Sequence, residues 1–368
     1  MAMNTRPSTL SPDQPVNLLS LDGGGIRGVS ELFILDEIMR RIQIQQNLPN
    51  TPKPCEYFDL IGGTSTGGLI AIMLGRLKMS TEEALQSYDR ISSAVFTAEN
   101  RKPFYSDGKF KATTLEKEIK NVVRQAGCSD DQKLLDPNAK GNACVPSVSS
   151  QANVALSSFN SFVCSMTGIN LRSPQRFRTY QGLPNQGPDC KIWEAARATT
   201  AAPTFFKAIK IIGSGGFGPE YVDAGLGFNN PTKEVRDEAK ELFGSNRRVG
   251  VFLSIGTGHP GPSGFQQPKG IEKVFPLEFI RVLQRITTDC ESVADELAKE
   301  YGGNGVYFRL NVLHGAEGVY LDEWKKISEV MAHTASYLRG PEASTQIDRV
   351  VACLCRIGVG QGKTLHSL

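Results

Sequence analysis

FDLIGGTSTGGLIA, residues 58–71, sets a serine between glycines in Gly63-Thr64-Ser65-Thr66-Gly67. An apolar run, Phe58 to Ile61, leads into the glycines, and a second one, GLIAIMLGRL, leaves them at helical length. Strand, small-residue turn and helix, in that order, form the setting in which a sharp turn lifts a serine hydroxyl out of a sheet as a nucleophile. The bland alternative is a small residue packed in a glycine-rich crossover, and the pentad alone does not choose between the two.

The chain uses the same scheme once before. VNLLSLD (16–22) is a continuous apolar run, GGGIRG ends it, and in ELFILDEIMRRIQ the residues Leu32, Leu35, Ile38 and Met39 recur at helical spacing. Two successive strand-turn-helix units predict a three-layer α/β/α sandwich with a mainly parallel central sheet. Further helices are expected at STEEALQSYDRI, TTLEKEIKNVVRQ, WEAARATTAAPTFF (halted at Pro203), at the end of EYVDAGLGFNNPTKEVRDEAKELFG and at FPLEFIRVLQRITTDCESVADELAKEY, and two more near the C-terminus. Strands are expected at SFVCSMT, RFRTY, EYVD, RRVGVFLSIGTG and VYFRLNV. The division predicted is a flexible leader over 1–14, one catalytic domain over 15–340 with an irregular insertion at about 128–160, and a helical extension over 341–368.

Composition narrows the function. With 40% hydrophobic and 21% charged residues the chain reads as globular, and a net charge of +3 is too mild for a nucleic-acid partner. The polar, proline-broken start has no signal-peptide core, and no apolar run is long enough to span a bilayer, so a cytoplasmic protein is expected, in contact with membranes at most peripherally. The eight cysteines lack the density of a disulfide scaffold and are expected as free thiols. Cys353-x-Cys355 has the wrong spacing for zinc, and no metal or cofactor is expected.

Two glycine-rich strings imitate nucleotide sites. Gly23-Gly24-Gly25-Ile26-Arg27-Gly28 fits G-x-G-x-x-G, yet the second strand ends in GGTSTGG where a dinucleotide site places an acidic residue. The turn keeps another use: successive backbone amides at a helix start receive developing negative charge, which is what an oxyanion hole requires. GVGQGKT (358–364) resembles a phosphate loop, but isoleucine occupies 357, where that loop needs glycine.

A serine nucleophile needs a base. The chain holds four histidines, His259, His314, His333 and His366, and one conspicuous carboxylate, Asp223, which the strand EYVD carries into the turn AGLG. At the C-terminal rim of a parallel sheet Asp223 would share an edge with Ser65 and the triglycine turn, and desolvation would strengthen it as a base. Its ordinary use is to cap a turn. His259, after SIGTG, would complete the order Ser, Asp, His of α/β-hydrolase triads.

Asp22-Gly23-Gly24-Gly25-Ile26-Arg27-Gly28, Gly63-Thr64-Ser65-Thr66-Gly67 and Asp223-Ala224-Gly225, in this order, resemble the motifs of the patatin-like phospholipase family, and ARATTAAPTFF and SIGTG resemble further segments of it. The resemblance covers about 16–340, and CKIWEAARATTAAPTFF is most similar to fungal members. It implies a patatin-like fold and a histidine-free Ser-Asp dyad that cleaves ester bonds of phospholipids, lysophospholipids or acylglycerols. Ser65 is then the nucleophile and Asp223 the base; Gly23, Gly24, Gly25 and Arg27 form the oxyanion hole, and Gly63 and Gly67 the nucleophile elbow. Ala224 departs from the family's usual glycine. A lipid transacylase, or a regulatory or immune-signalling module with secondary catalysis, are the alternatives.

Overall fold

The computed structural model describes residues 14–103, 106–135, 160–181, 187–213, 216–258, 290–301, 305–312, 319–355 and 363–365. The leader apart from Gln14, residues 136–159 of the expected insertion, and His259, His314 and His366 lie outside them.

Strands β1 (Val16–Leu21), β2 (Leu60–Thr64), β3 (Asn160–Thr167), β7 (Arg248–Ile255) and β8 (Tyr307–Leu310) form a parallel block in the order β3-β2-β1-β7-β8. The register sets Leu19 beside Ile61 and Leu253, and Gly63 beside Val163. Four further strands add antiparallel edges. β4 (Asn170–Arg178) and β6 (Glu220–Asp223) both pair with β3, β5 (Ile209–Lys210) pairs with β6, and β9 (Lys363–Thr364) pairs with β7. The end of GVGQGKT is thus a sheet edge.

The apolar runs of the parallel strands are continuous because both faces are covered. Leu19, Leu21, Ile61, Leu253 and Leu310 face a large core under α1 (Val29–Gln46), α2 (Thr66–Ala71), α3 (Thr81–Val95), α4 (Ala112–Gln125) and α5 (Ile192–Thr199). α8 (Ile327–Arg339) and α9 (Pro341–Leu354) add Val330, Ile347 and Val350 to the same core. Leu18, Leu60, Phe162 and Phe252 face the opposite way, onto Val235 and Ala239 of α6 (Thr232–Phe243) and Leu297 and Tyr301 of α7, described over 290–301. That is the three-layer α/β/α sandwich. α3 starts as its sequence predicts: Ser80 Oγ accepts the Glu83 amide and the Glu83 carboxylate accepts the Ser80 amide.

Two expectations need correction. Asp223 does not end a strand of the parallel block: β6 runs antiparallel to β3, with Asp223 opposite Ser165, and reaches the rim from above. Pairing direction depends on the partner strand, which EYVD does not encode. Free thiols are found at Cys55, Cys164, Cys190, Cys290, Cys353 and Cys355, but Cys128, just past α4, is disulfide-bonded, with its partner outside the described residues. Disulfide formation follows proximity in space, not cysteine density along the chain.

Candidate active site

Ser65 stands where β2 becomes α2, with φ 54° and ψ −119°, a backbone state that L-residues rarely adopt. The approach of strand to helix forces it. A Cβ on Gly63 would sit 2.1 Å from the Gly67 carbonyl oxygen, and one on Gly67 would sit 2.3 Å from that of Leu21, so both positions admit only glycine. The Gly67 amide donates to the Asp22 carbonyl at 3.1 Å, tying the elbow to the end of β1. The Ser65 amide donates to Thr199 Oγ1 at 2.9 Å, and that hydroxyl donates to the Cys164 carbonyl at 2.7 Å. The end of α5 thereby anchors the strained residue to β3.

The Ser65 hydroxyl donates to Asp223 Oδ2 at 2.5 Å. Asp223 is 3% exposed; its amide donates to the Ala201 carbonyl at 3.1 Å, and its Oδ1 accepts the Gly225 amide at 2.8 Å. Burial pushes the carboxyl up to about 7, against the hydrogen bonds from Ser65 and Gly225 that draw it down. A carboxyl that titrates there is ionised in roughly half of the molecules at neutral pH, and in that form it is basic enough to take a proton. The Ala224 methyl is fully buried in the smaller core, so the departure from glycine fills space in that core.

The triglycine turn lies against the serine: a Cβ on Gly23 would come 3.0 Å from that of Ser65. Its carbonyls are all held from behind. Asn229 Nδ2 and Thr257 Oγ1 each donate to the Gly23 oxygen at 3.1 Å, Arg27 Nε donates to the Gly24 oxygen at 3.4 Å, and Thr66 Oγ1 (3.1 Å) and the Tyr88 hydroxyl donate to the Gly25 oxygen. Because each peptide is planar, pinning a carbonyl aims the next amide the opposite way. The Gly23 amide is already given to the Asn229 carbonyl at 2.9 Å, whereas the amides of Gly24 and Gly25 have no acceptor among the described residues. Gly25, at φ 56°, makes the turn that α1 continues.

Arg27, expected among the oxyanion donors, is buried behind the turn, and both its Nε and its amide point at the Gly24 carbonyl, the amide at 3.2 Å. The Asp22 carboxylate forms an ion pair with Arg309 at 2.7 Å. His333 lies on α8, with Nε2 4.0 Å from Glu329. Among the described residues no three His, Cys, Asp or Glu side chains are grouped to hold a metal ion, and no helix is long and apolar enough to cross a membrane.

Asn229, Thr199 and Thr257 escape a reading of the sequence alone. The loop after Asp223, GLGFNNP, reads as a turn, and asparagine there is ordinary. ARATTAAPTFF and SIGTG are visible as segments with no assigned task. Thr199 ends α5, Asn229 lies in the loop after β6 and Thr257 just past β7; a polar residue where an element ends near Ser65 is the signal that could have raised them.

Comparison with known proteins finds relatives of one family. A family model described as patatin-like phospholipase matches residues 19–236. Patatin-like protein 3 of Arabidopsis thaliana is 30% identical over 267 residues, 67% of this chain and 59% of that protein. Calcium-independent phospholipase A2-gamma of Mus musculus is 30% identical over 257 residues, 66% of this chain and 28% of that protein. A third relative, Probable inactive patatin-like protein 9 of Arabidopsis thaliana, is 25% identical over 263 residues, 69% of this chain and 62% of that protein. The chain thus spans less than two thirds of the length of each.

Proposed function

The chain belongs to the patatin-like phospholipase family, and from that membership we propose that it is a lipid acyl hydrolase acting through Ser65 and Asp223 without a histidine. The observation that carries the reading is the direct hydrogen bond from the Ser65 hydroxyl to Asp223 Oδ2. In a triad the imidazole stands between serine and carboxylate; here the two touch, and no room is left between them.

Ser65 Oγ attacks the ester carbonyl carbon as its proton passes to Asp223. The carbonyl oxygen becomes an oxyanion on the amides of Gly24 and Gly25, which the contacts behind the turn hold in place before substrate arrives. Collapse breaks the bond to the alcohol, which leaves with the proton from Asp223. Water then attacks the acyl-enzyme, gives a proton to Asp223, and releases the fatty acid as Ser65 is reprotonated.

Fatty-acid release from phosphatidylcholine, lysophosphatidylcholine and diacylglycerol, with labelling by a fluorophosphonate probe, tests the reading. Both signals are expected in the native chain and neither in Ser65→Ala; labelling that persists in the variant overturns it. Adding an alcohol acceptor separates hydrolysis from acyl transfer by the product formed.

A further inference from the structure

Five large apolar side chains stand well exposed among the described residues: Ile44, Ile169, Ile212, Phe217 and Tyr320. Three of them share one edge of the molecule. Ile169, 94% exposed, caps the turn between β3 and β4; Ile212 and Phe217, 59% and 87% exposed, sit in the hairpin between β5 and β6. The Gly168 amide donates to the carbonyl of Glu220, the first residue of β6, at 3.0 Å, so the two tips stand side by side.

Their direction follows from the register. β3 runs parallel to β2, so its C-terminal end points to the side of the sheet on which Ser65 emerges. Ser165 lies opposite Asp223, Thr167 opposite Tyr221, and Lys210 opposite Glu220. At roughly 3.3 Å per residue the tips therefore begin about 10 Å beyond the catalytic pair, on the same rim. Across the hairpin the Gly213 amide donates to the Phe217 carbonyl at 3.1 Å and the Gly216 amide to the Gly213 carbonyl at 3.0 Å.

The tips themselves, TGIN (167–170) and IIGSGGFGP (211–219), carry no charged residue, and exposed Lys207, Lys210 and Glu220 stand at their base, Glu220 opposite Lys210. Apolar tips over a base whose two lysines outnumber its one carboxylate match a bilayer with anionic headgroups. A protein partner needs a continuous patch of about 800 Å² per side; side chains carried singly on glycine-flanked turns suit a lipid surface, which accepts each one separately. The basic and aromatic stretch 101–111 is less suited, since Phe110 is fully buried between Phe96 and Phe206, and Lys109 is paired with Asp322.

We infer that the β3–β4 and β5–β6 tips are a lipid-docking edge: Ile169, Ile212 and Phe217 enter an anionic bilayer surface, Lys207 and Lys210 meet its phosphates, and the rim carrying Ser65 faces the substrate layer. The inference rests on the lipid-hydrolase reading above. Its test compares the native chain with the triple variant Ile169→Ser, Ile212→Ser, Phe217→Ser and with Lys207→Glu, Lys210→Glu. Flotation with phosphatidylglycerol–phosphatidylcholine vesicles is measured beside hydrolysis of vesicle phospholipid and of a monomeric short-chain p-nitrophenyl ester.

Vesicle binding and vesicle hydrolysis are expected to fall at least about tenfold in the triple variant, the factor that burial of one large apolar side chain commands. The charge variant should lose its preference for anionic vesicles. Hydrolysis of the soluble ester should be unchanged in both, and Ser65→Ala should float like the native chain. Unchanged flotation of the triple variant, or no flotation of the native chain, overturns the docking edge. A native chain that floats but hydrolyses neither ester sinks the hydrolase reading instead, and flotation alone then decides the edge. If the triple variant alters soluble-ester turnover, the single variants Ile169→Ser and Phe217→Ser decide the matter by the same readouts.

Discussion

Ser65 and Asp223, 158 positions apart in the chain, meet in one hydrogen bond of 2.5 Å with nothing between them. The serine is held at a strained backbone by Thr199, and the carboxylate is held by Gly225 and Ala201. Both partners are therefore fixed before any substrate binds, and the consequences of the pairing are measurable.

Asp223→Asn should lower kcat by about 10²–10⁴-fold, the usual contribution of a general base, with the fold kept because asparagine is isosteric. His259→Ala should leave most of the turnover. If His259→Ala instead costs as much as Ser65→Ala, the base is the imidazole and the dyad is abandoned.

The pH profile follows from the carboxyl held at about 7. The base works ionised, so kcat/KM should rise with pH up to about 7 and level off above it. Stability runs the other way. The folded value lies above the ordinary 3.8, so the contribution of Asp223 is fully present below 3.8 and is lost as pH rises through about 7. The Tm of Asp223→Asn relative to the native chain should accordingly climb between those two pH values and then stay level. A flat difference in Tm from acid to alkaline pH would show that burial does not burden the carboxylate.

Ser65→Ala and Ser65→Gly both remove the nucleophile and its bond to Asp223, but only glycine relaxes φ 54°. Ser65→Gly should exceed Ser65→Ala in stability by about 1–3 kcal/mol, the usual cost of such a backbone state. Urea unfolding of the two variants measures the difference, and equal midpoints would mean the turn is unstrained.

Asn229→Asp keeps the shape of the side chain but removes the Nδ2 donor to the Gly23 carbonyl. The Gly24 amide, on the same peptide, then loses part of its aim. kcat should drop about 10- to 100-fold, less than loss of a whole oxyanion donor, while KM hardly moves. Affinity for a trifluoromethyl ketone, whose adduct carries the oxyanion, should weaken in step with kcat. A variant that loses stability alone, with ketone affinity intact, would reduce Asn229 to packing.

The two strand-turn-helix units, the glycine elbow and the helix start at Ser80 were legible in the sequence because their causes are local. A continuous apolar run, a serine cap with glutamate three residues on, and glycines where chains cross act over a few residues and leave their mark there. Family-wide motifs also drew attention to Asp223. What residues 220–223 could not reveal is that their strand runs antiparallel beside β3, for strand order and direction are set by long-range pairing and by which faces the helices cover. Only the assembled sheet puts Asp223 level with Ser65, buries it until its carboxyl is basic, and swings Asn229 and Thr257 behind Gly23. Those residues belong to loops whose sequence states only that they turn; what they hold depends on the neighbour the fold brings to them.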